Sequence, residues 1–199
     1  MSCINDIRNE IIKKYEGNAF TTYDFFSLGE HEAIRQALTR LAREGYIRRV
    51  LHGVYDKPAY SSILKEFSEP SPHKVALALA RKHNWQISLS GDAALNMLGL
   101  STQIPTTWEY VSTGPYKKYI IGNSILEFQH RADTQMASKS LKMLMIIQAL
   151  KALGVESCGE EIITKIQRSL SVKEKKQLSQ EAKTSPLWMY KVIKKICKG

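Results

Sequence analysis

Gln36, Arg40 and Arg43 are the residues of this chain best suited to chemistry, and the chemistry they suit is the reading of base edges. Arginine reaches guanine O6 and N7 with two parallel hydrogen bonds, and glutamine pairs with adenine N6 and N7, so these three are the candidate major-groove readers. Arg35 and Thr39 beside them are expected to touch phosphates. Arg48, Arg49 and His52 follow within a few residues, a location suited to backbone or minor-groove contact, which positions a protein without specifying sequence. Adjacent strand residues point to opposite faces, so Arg48 and Arg49 share a surface only if their hairpin twists.

Other chemistries find less support. Cys3, Cys158 and Cys197 are widely separated and match no metal-ligand spacing. His31, His52, His73, His83 and His130 form no nucleophile-base or metal pattern. Ser90-Gly91-Asp92 superficially matches the glycine-serine entrance of nucleotidyltransferases, but the order is wrong and no metal-holding carboxylate pair follows. Ser90 is therefore read as a helix cap. The expectation is a protein without catalytic activity, cofactor or metal.

The readers need a helix to aim them. On a 100° wheel Ile34, Leu38 and Leu41 fall together, with Gln36, Thr39, Arg40 and Arg43 opposite, so one face packs while the other reaches outward. Gly45 can end this helix in a left-handed conformation, and a β-rich run turning at Gly53 continues to Pro58. Upstream, residues 3–16 read as a packing helix, and Thr22 as the N-cap of a short helix ending at Leu28-Gly29. Helix, short helix, longer helix, hairpin is the order of a winged helix-turn-helix. An amphipathic surface helix with an arginine-rich loop is the plainer alternative.

The expected organisation is a DNA-binding domain over 1–58, a short docked connector over 59–72, and a C-terminal domain over 73–199. That last part reads as a helix from His73, a strand at 86–89, a helix from Ser90 to Leu98, and a three-stranded antiparallel meander over 107–112, 116–121 and 124–130. A largely apolar helix from Leu141 to Leu153 comes next. Three further helices follow, at 160–170 and 172–183 and after Ser185-Pro186, with Pro186 at the first helical position. The fold class is α+β.

The whole chain carries 29 Lys and Arg against 19 Asp and Glu, a net charge of +10, which favours polyanionic partners because phosphate contacts release counterions. Residues 1–58 contribute only +1 of that, and residues 59–199 the other +9. Lys191, Lys194, Lys195 and Lys198 crowd the last helix as a possible polyanion or partner surface, with a plain solubilising face as the alternative. No apolar run suggests a signal peptide or a membrane span, so a cytoplasmic protein is expected.

The run Ile34-Arg35-Gln36-Ala37-Leu38 through Leu41-Ala42-Arg43-Glu44-Gly45-Tyr46-Ile47-Arg48-Arg49 to Gly53-Val54-Tyr55 resembles the AbiEi-type antitoxin and transcriptional-regulator family. So do Ser90-Gly91-Asp92-Ala93-Ala94-Leu95, the segment Gly99-Leu100-Ser101-Thr102-Gln103-Ile104-Pro105 and the strand Tyr110-Val111-Ser112. The likeness covers about residues 1–155. It implies a repressor that binds inverted repeats in double-stranded operator DNA and autoregulates its operon. It also implies a C-terminal domain that counters a nucleotidyltransferase-like toxin, without necessarily touching it, in a type IV toxin-antitoxin system of phage defence. The alternative function is a protein- or RNA-interaction module whose basic C-terminal domain carries the activity.

Overall fold

A computed structural model describes residues 3–132, 136 and 140–198. The chain is α+β and divides into two compact units, Met1–Trp85 with Tyr119–Leu126, and Gln86–Lys118 with Glu127–Gly199.

The first unit begins with α1 (Cys3–Lys14), β1 (Ala19–Thr21), a 3-10 helix (Thr22–Leu28) and α2 (His31–Arg43). The hairpin β2 (Arg48–Leu51) and β3 (Val54–Asp56) follows, and β3 lies between β1 and β2 in an antiparallel sheet. Ile34, Ala37, Leu38 and Leu41 of α2 pack against Ile7 and Ile11 of α1 and against Phe20, Phe25 and Tyr55. Ile34, Leu38 and Leu41 are fully buried, worth about 1.5–3 kcal/mol each, so this face and not intrinsic propensity holds α2 in place. Gly45, at φ 73°, supplies the left-handed residue that turns the chain from α2 toward β2.

Three expectations change here. The cap of the 3-10 helix is Thr21, not Thr22: its hydroxyl accepts from the Tyr23 N–H while Asp24 accepts from the Thr21 N–H at 2.8 Å. Residues 59–72 are not a plain connector but hold a small antiparallel hairpin, β4 (Tyr60–Ser61) and β5 (Glu66–Phe67), with the Tyr60 and Phe67 rings 5.3 Å apart. The helix α3 (Pro72–His83) belongs to the first unit, so the boundary falls after Trp85 instead of near residue 72. Two side-chain ties explain that placement. Arg81 Nε donates to Asp24 Oδ1 at 2.7 Å and Arg81 Nη2 to the Ala19 carbonyl at 3.1 Å, while the Lys74 ammonium donates to the Gly17 carbonyl.

The second unit contains β6 (Ile87–Leu89), α4 (Gly91–Met97) and β7 (Thr107–Ser112), with β6 antiparallel to β7. With β8 (Lys117–Ile121) and β9 (Ser124–His130), which run across the division, these strands form a sheet ordered β6-β7-β9-β8. The expected meander had β8 in the middle. β9 takes that place because it carries the buried Leu126 and Phe128, whereas the exposed Lys117 and Lys118 suit β8 to an edge.

The helices α5 (Leu141–Leu153), α6 (Glu160–Arg168), α7 (Val172–Glu181) and α8 (Leu187–Cys197) share a core that includes Met143, Ile146, Leu150, Ile166, Leu178 and Ile193. Pro186 is the N-cap of α8, one residue before its expected position. Ser90 precedes α4 as its N-cap but makes no side-chain cap; its buried hydroxyl has no hydrogen-bond partner among the described residues.

Candidate nucleic-acid interface

The exposed side of α2 carries all five expected residues, Arg35, Gln36, Thr39, Arg40 and Arg43. The first-turn carboxylate of Glu32 accepts from Arg35 Nε at 2.8 Å, from Arg35 Nη2 at 2.5 Å and from Gln36 Nε2 at 3.0 Å. The Arg35 guanidinium, followed by the Gln36 amide, holds the Glu32 carboxyl down to about 2. Beyond the other end of α2, Glu44 accepts from Arg40 Nε at 2.8 Å and from Arg8 Nη2 at 3.3 Å. Arg40 is the main reason the Glu44 carboxyl lies below its ordinary value. The Thr39 hydroxyl is turned back, donating to the Arg35 carbonyl at 2.8 Å. Arg43 is exposed in the last turn and forms no ion pair among the described residues.

The hairpin separates its two arginines, as strand alternation requires. Arg48 lies opposite Asp56 and grips it with Nε at 3.0 Å and Nη2 at 2.6 Å, while Nη2 also donates to the Ser68 carbonyl at 3.0 Å. With the Asp56 side chain only 9% exposed, this two-pronged bond braces β2 against β3 and ties the hairpin to the segment after β5. Arg48 therefore has a structural use that the sequence reading did not assign. Arg49 stays exposed, as does His52 in the two-residue turn between Leu51 and Val54. Gly53 completes that turn at φ 72°. A Cβ built on Gly53 would lie 3.5 Å from Lys82 Nζ, so a cation of α3 stands at the turn as well.

Sequence reasoning missed Lys82 because the α3 stripe was assigned to the other domain. It also missed Glu32 and Glu44, although their separations of three and four residues from Arg35 and Arg40 are those at which helix side chains meet. The candidate residues thus fall into two kinds: Arg35, Gln36 and Arg40 are engaged by carboxylates, whereas Arg43, Arg49 and His52 are exposed and project into solvent.

In the second unit Lys191, Lys194, Lys195 and Lys198 are all exposed, while Val192, Ile193 and Ile196 are buried. Lys194 Nζ lies 5.2 Å from the Tyr190 ring centre, and Lys195 Nζ lies 3.6 Å from Glu160 Oε1. Among the described residues no cluster of three His, Cys, Asp or Glu could hold a metal ion, and no helix is long and apolar enough to cross a membrane.

Fold and site define an α+β protein of two units, the first presenting a polar helix face beside a basic hairpin turn. The chain belongs to the DUF6088 family, a family of unknown function, which it matches over residues 6–178. No match was found among curated proteins.

Proposed function

We propose that this chain is a DNA-binding transcriptional repressor whose first unit is a winged helix-turn-helix, with α2 as its recognition helix and the β2–β3 hairpin as its wing. The observation that carries the reading is the division of α2. One face is fully buried, and the other exposes Arg35, Gln36, Thr39, Arg40 and Arg43 just before a hairpin with Arg49 and His52 outermost. Residues of these types on a rigid helix suit base edges, and those on the turn suit phosphates. The resemblance to AbiEi-type antitoxins supports an operator of inverted repeats upstream of the protein's own gene, and a second unit that counters a nucleotidyltransferase-like toxin.

The test is fluorescence anisotropy of the full chain on DNA from upstream of its gene and on a scrambled duplex, across a range of salt. A preference for the upstream DNA that Arg43→Ala abolishes is expected. Equal affinity for both duplexes, or an unchanged preference in Arg43→Ala, would overturn the reading. Co-expression with the adjacent gene tests antitoxicity separately: protection by residues 86–199 alone would assign that role to the chain after Trp85 and favour an interaction module.

A further inference from the structure

A second basic site lies in the other unit, and neither the operator-binding reading nor the lysines of α8 account for it. Val172, Lys175, Lys176, Ser179, Gln180, Lys183 and Cys197 line an open cavity of about 490 Å³. Positions 172, 175, 176, 179, 180 and 183 recur at helical spacing, so α7 and the turn after it present them as one stripe.

Neither carboxylate of α7 pairs with Lys176 or Lys183 among the described residues. Glu174 is taken by Lys142 Nζ at 2.8 Å and by the N–H and hydroxyl of Ser171, and Glu181 Oε1 accepts from Gln177 at 2.7 Å. Lys176 and Lys183 form no ion pair among the described residues. Like charges gathered on one helix face repel, and a bound polyanion relieves that repulsion. Lysine supplies compact, adaptable charge without the fixed fork of arginine, which suits a flexible phosphate tail. The hydroxyl of Ser179 and the amide of Gln180 add hydrogen-bond donors. The volume falls within the range of small-molecule sites and exceeds what a lone phosphate needs.

We infer that this cavity binds a phosphorylated ligand of nucleotide size, with the lysines on its phosphates.

Calorimetric titration of the full chain with ATP, inorganic pyrophosphate and adenosine tests the assignment. ATP is expected to bind more tightly than pyrophosphate, and adenosine least. The double variant Lys176→Glu with Lys183→Glu should weaken ATP at least about tenfold, while Lys117→Glu with Lys151→Glu, at exposed positions away from the cavity lining, stays within about twofold of the unaltered chain. Cys197 provides a local reporter. Its thiol donates to the Lys175 carbonyl at 3.2 Å, and burial raises its pKa. Alkylation at about pH 8.5, read by peptide mass spectrometry, should slow at Cys197 but not at Cys158 when ATP is present. The inference is overturned by no ATP binding at millimolar concentration, by pyrophosphate matching ATP, by equal losses in the two double variants, or by an unprotected Cys197. A short single-stranded oligonucleotide that outbinds ATP would also overturn it, because the site would then serve a polynucleotide.

Discussion

Most arginines of the first unit are held in order by carboxylates of the same unit, whereas the cations of the last helices are chiefly lysines that mostly face solvent. Arg35 rests on Glu32, Arg40 on Glu44 and Arg48 on Asp56, so residues 1–58, at net +1, carry concentrated cations and little net field. Lys176, Lys183 and Lys191 have no such carboxylate among the described residues. The contrast separates two uses of positive charge. An arginine that leaves a carboxylate for a phosphate exchanges one anion for another and gains little, so a correct base contact has to tip the balance; an unpaired lysine gains from any polyanion.

The largest effect that can break this comparison lies in the cores, which share no residue. Leu38→Ala should destabilise the first unit by about 2–5 kcal/mol, because the side chain is fully buried under α2. Hydrogen exchange should accelerate in α1 and α2 and remain slow in α5 to α8; acceleration in both would show that the units do not unfold separately. Next comes Arg43→Ala, expected to cost about 1–3 kcal/mol on the preferred duplex and to relax its specificity. Lys191→Ala with Lys194→Ala should leave specificity unchanged, and a shift in sequence preference would erase the distinction between aimed and diffuse charge. A smaller effect is expected from Glu32→Gln, which frees Arg35 from its ionic partner. Affinity for scrambled DNA should rise severalfold and its salt dependence should steepen; an unchanged salt slope would mean that Glu32 does not restrain Arg35.

Local signals were legible in the sequence, and long-range ties were not. The buried stripe of α2, the left-handed Gly45 and the Gly53 turn each follow from a few neighbouring residues, and each is present. The shared fate of α3 and the first unit depends on Arg81 meeting Asp24 across 57 positions, which no local pattern encodes. Likewise the central place of β9 depends on which hairpin strand buries Leu126 and Phe128, not on strand propensity. Among the candidate readers, exposure on α2 could be read from the wheel. The diversion of Arg48 into the brace with Asp56 required the β2–β3 register. The clamps at Glu32 and Glu44 were within reach, since their spacing to Arg35 and Arg40 is local.

Acidification gives the smallest effect and compares the two units directly. Glu32 and Glu174 are both held at about 2, the first mainly by Arg35 and the second mainly by Lys142 and the backbone of Ser171. A carboxyl with its ordinary value near 4.5 in the unfolded chain takes up its proton before the folded one does. Between about 4.5 and about 2 the unfolded state therefore binds more protons, so the stability these pairs contribute above that window is lost as pH falls through it. The Glu32 carboxylate is exposed and that of Glu174 partly so, and solvent screens both pairs and keeps the slope shallow. Urea midpoints measured across this window should fall less steeply for Glu32→Gln and for Glu174→Gln than for the unaltered chain. Flattening in Glu174→Gln alone would mean that the Glu32–Arg35 pair adds nothing to the fold, leaving Arg35 freer to exchange its carboxylate for a phosphate than its 2.5 Å contact implies.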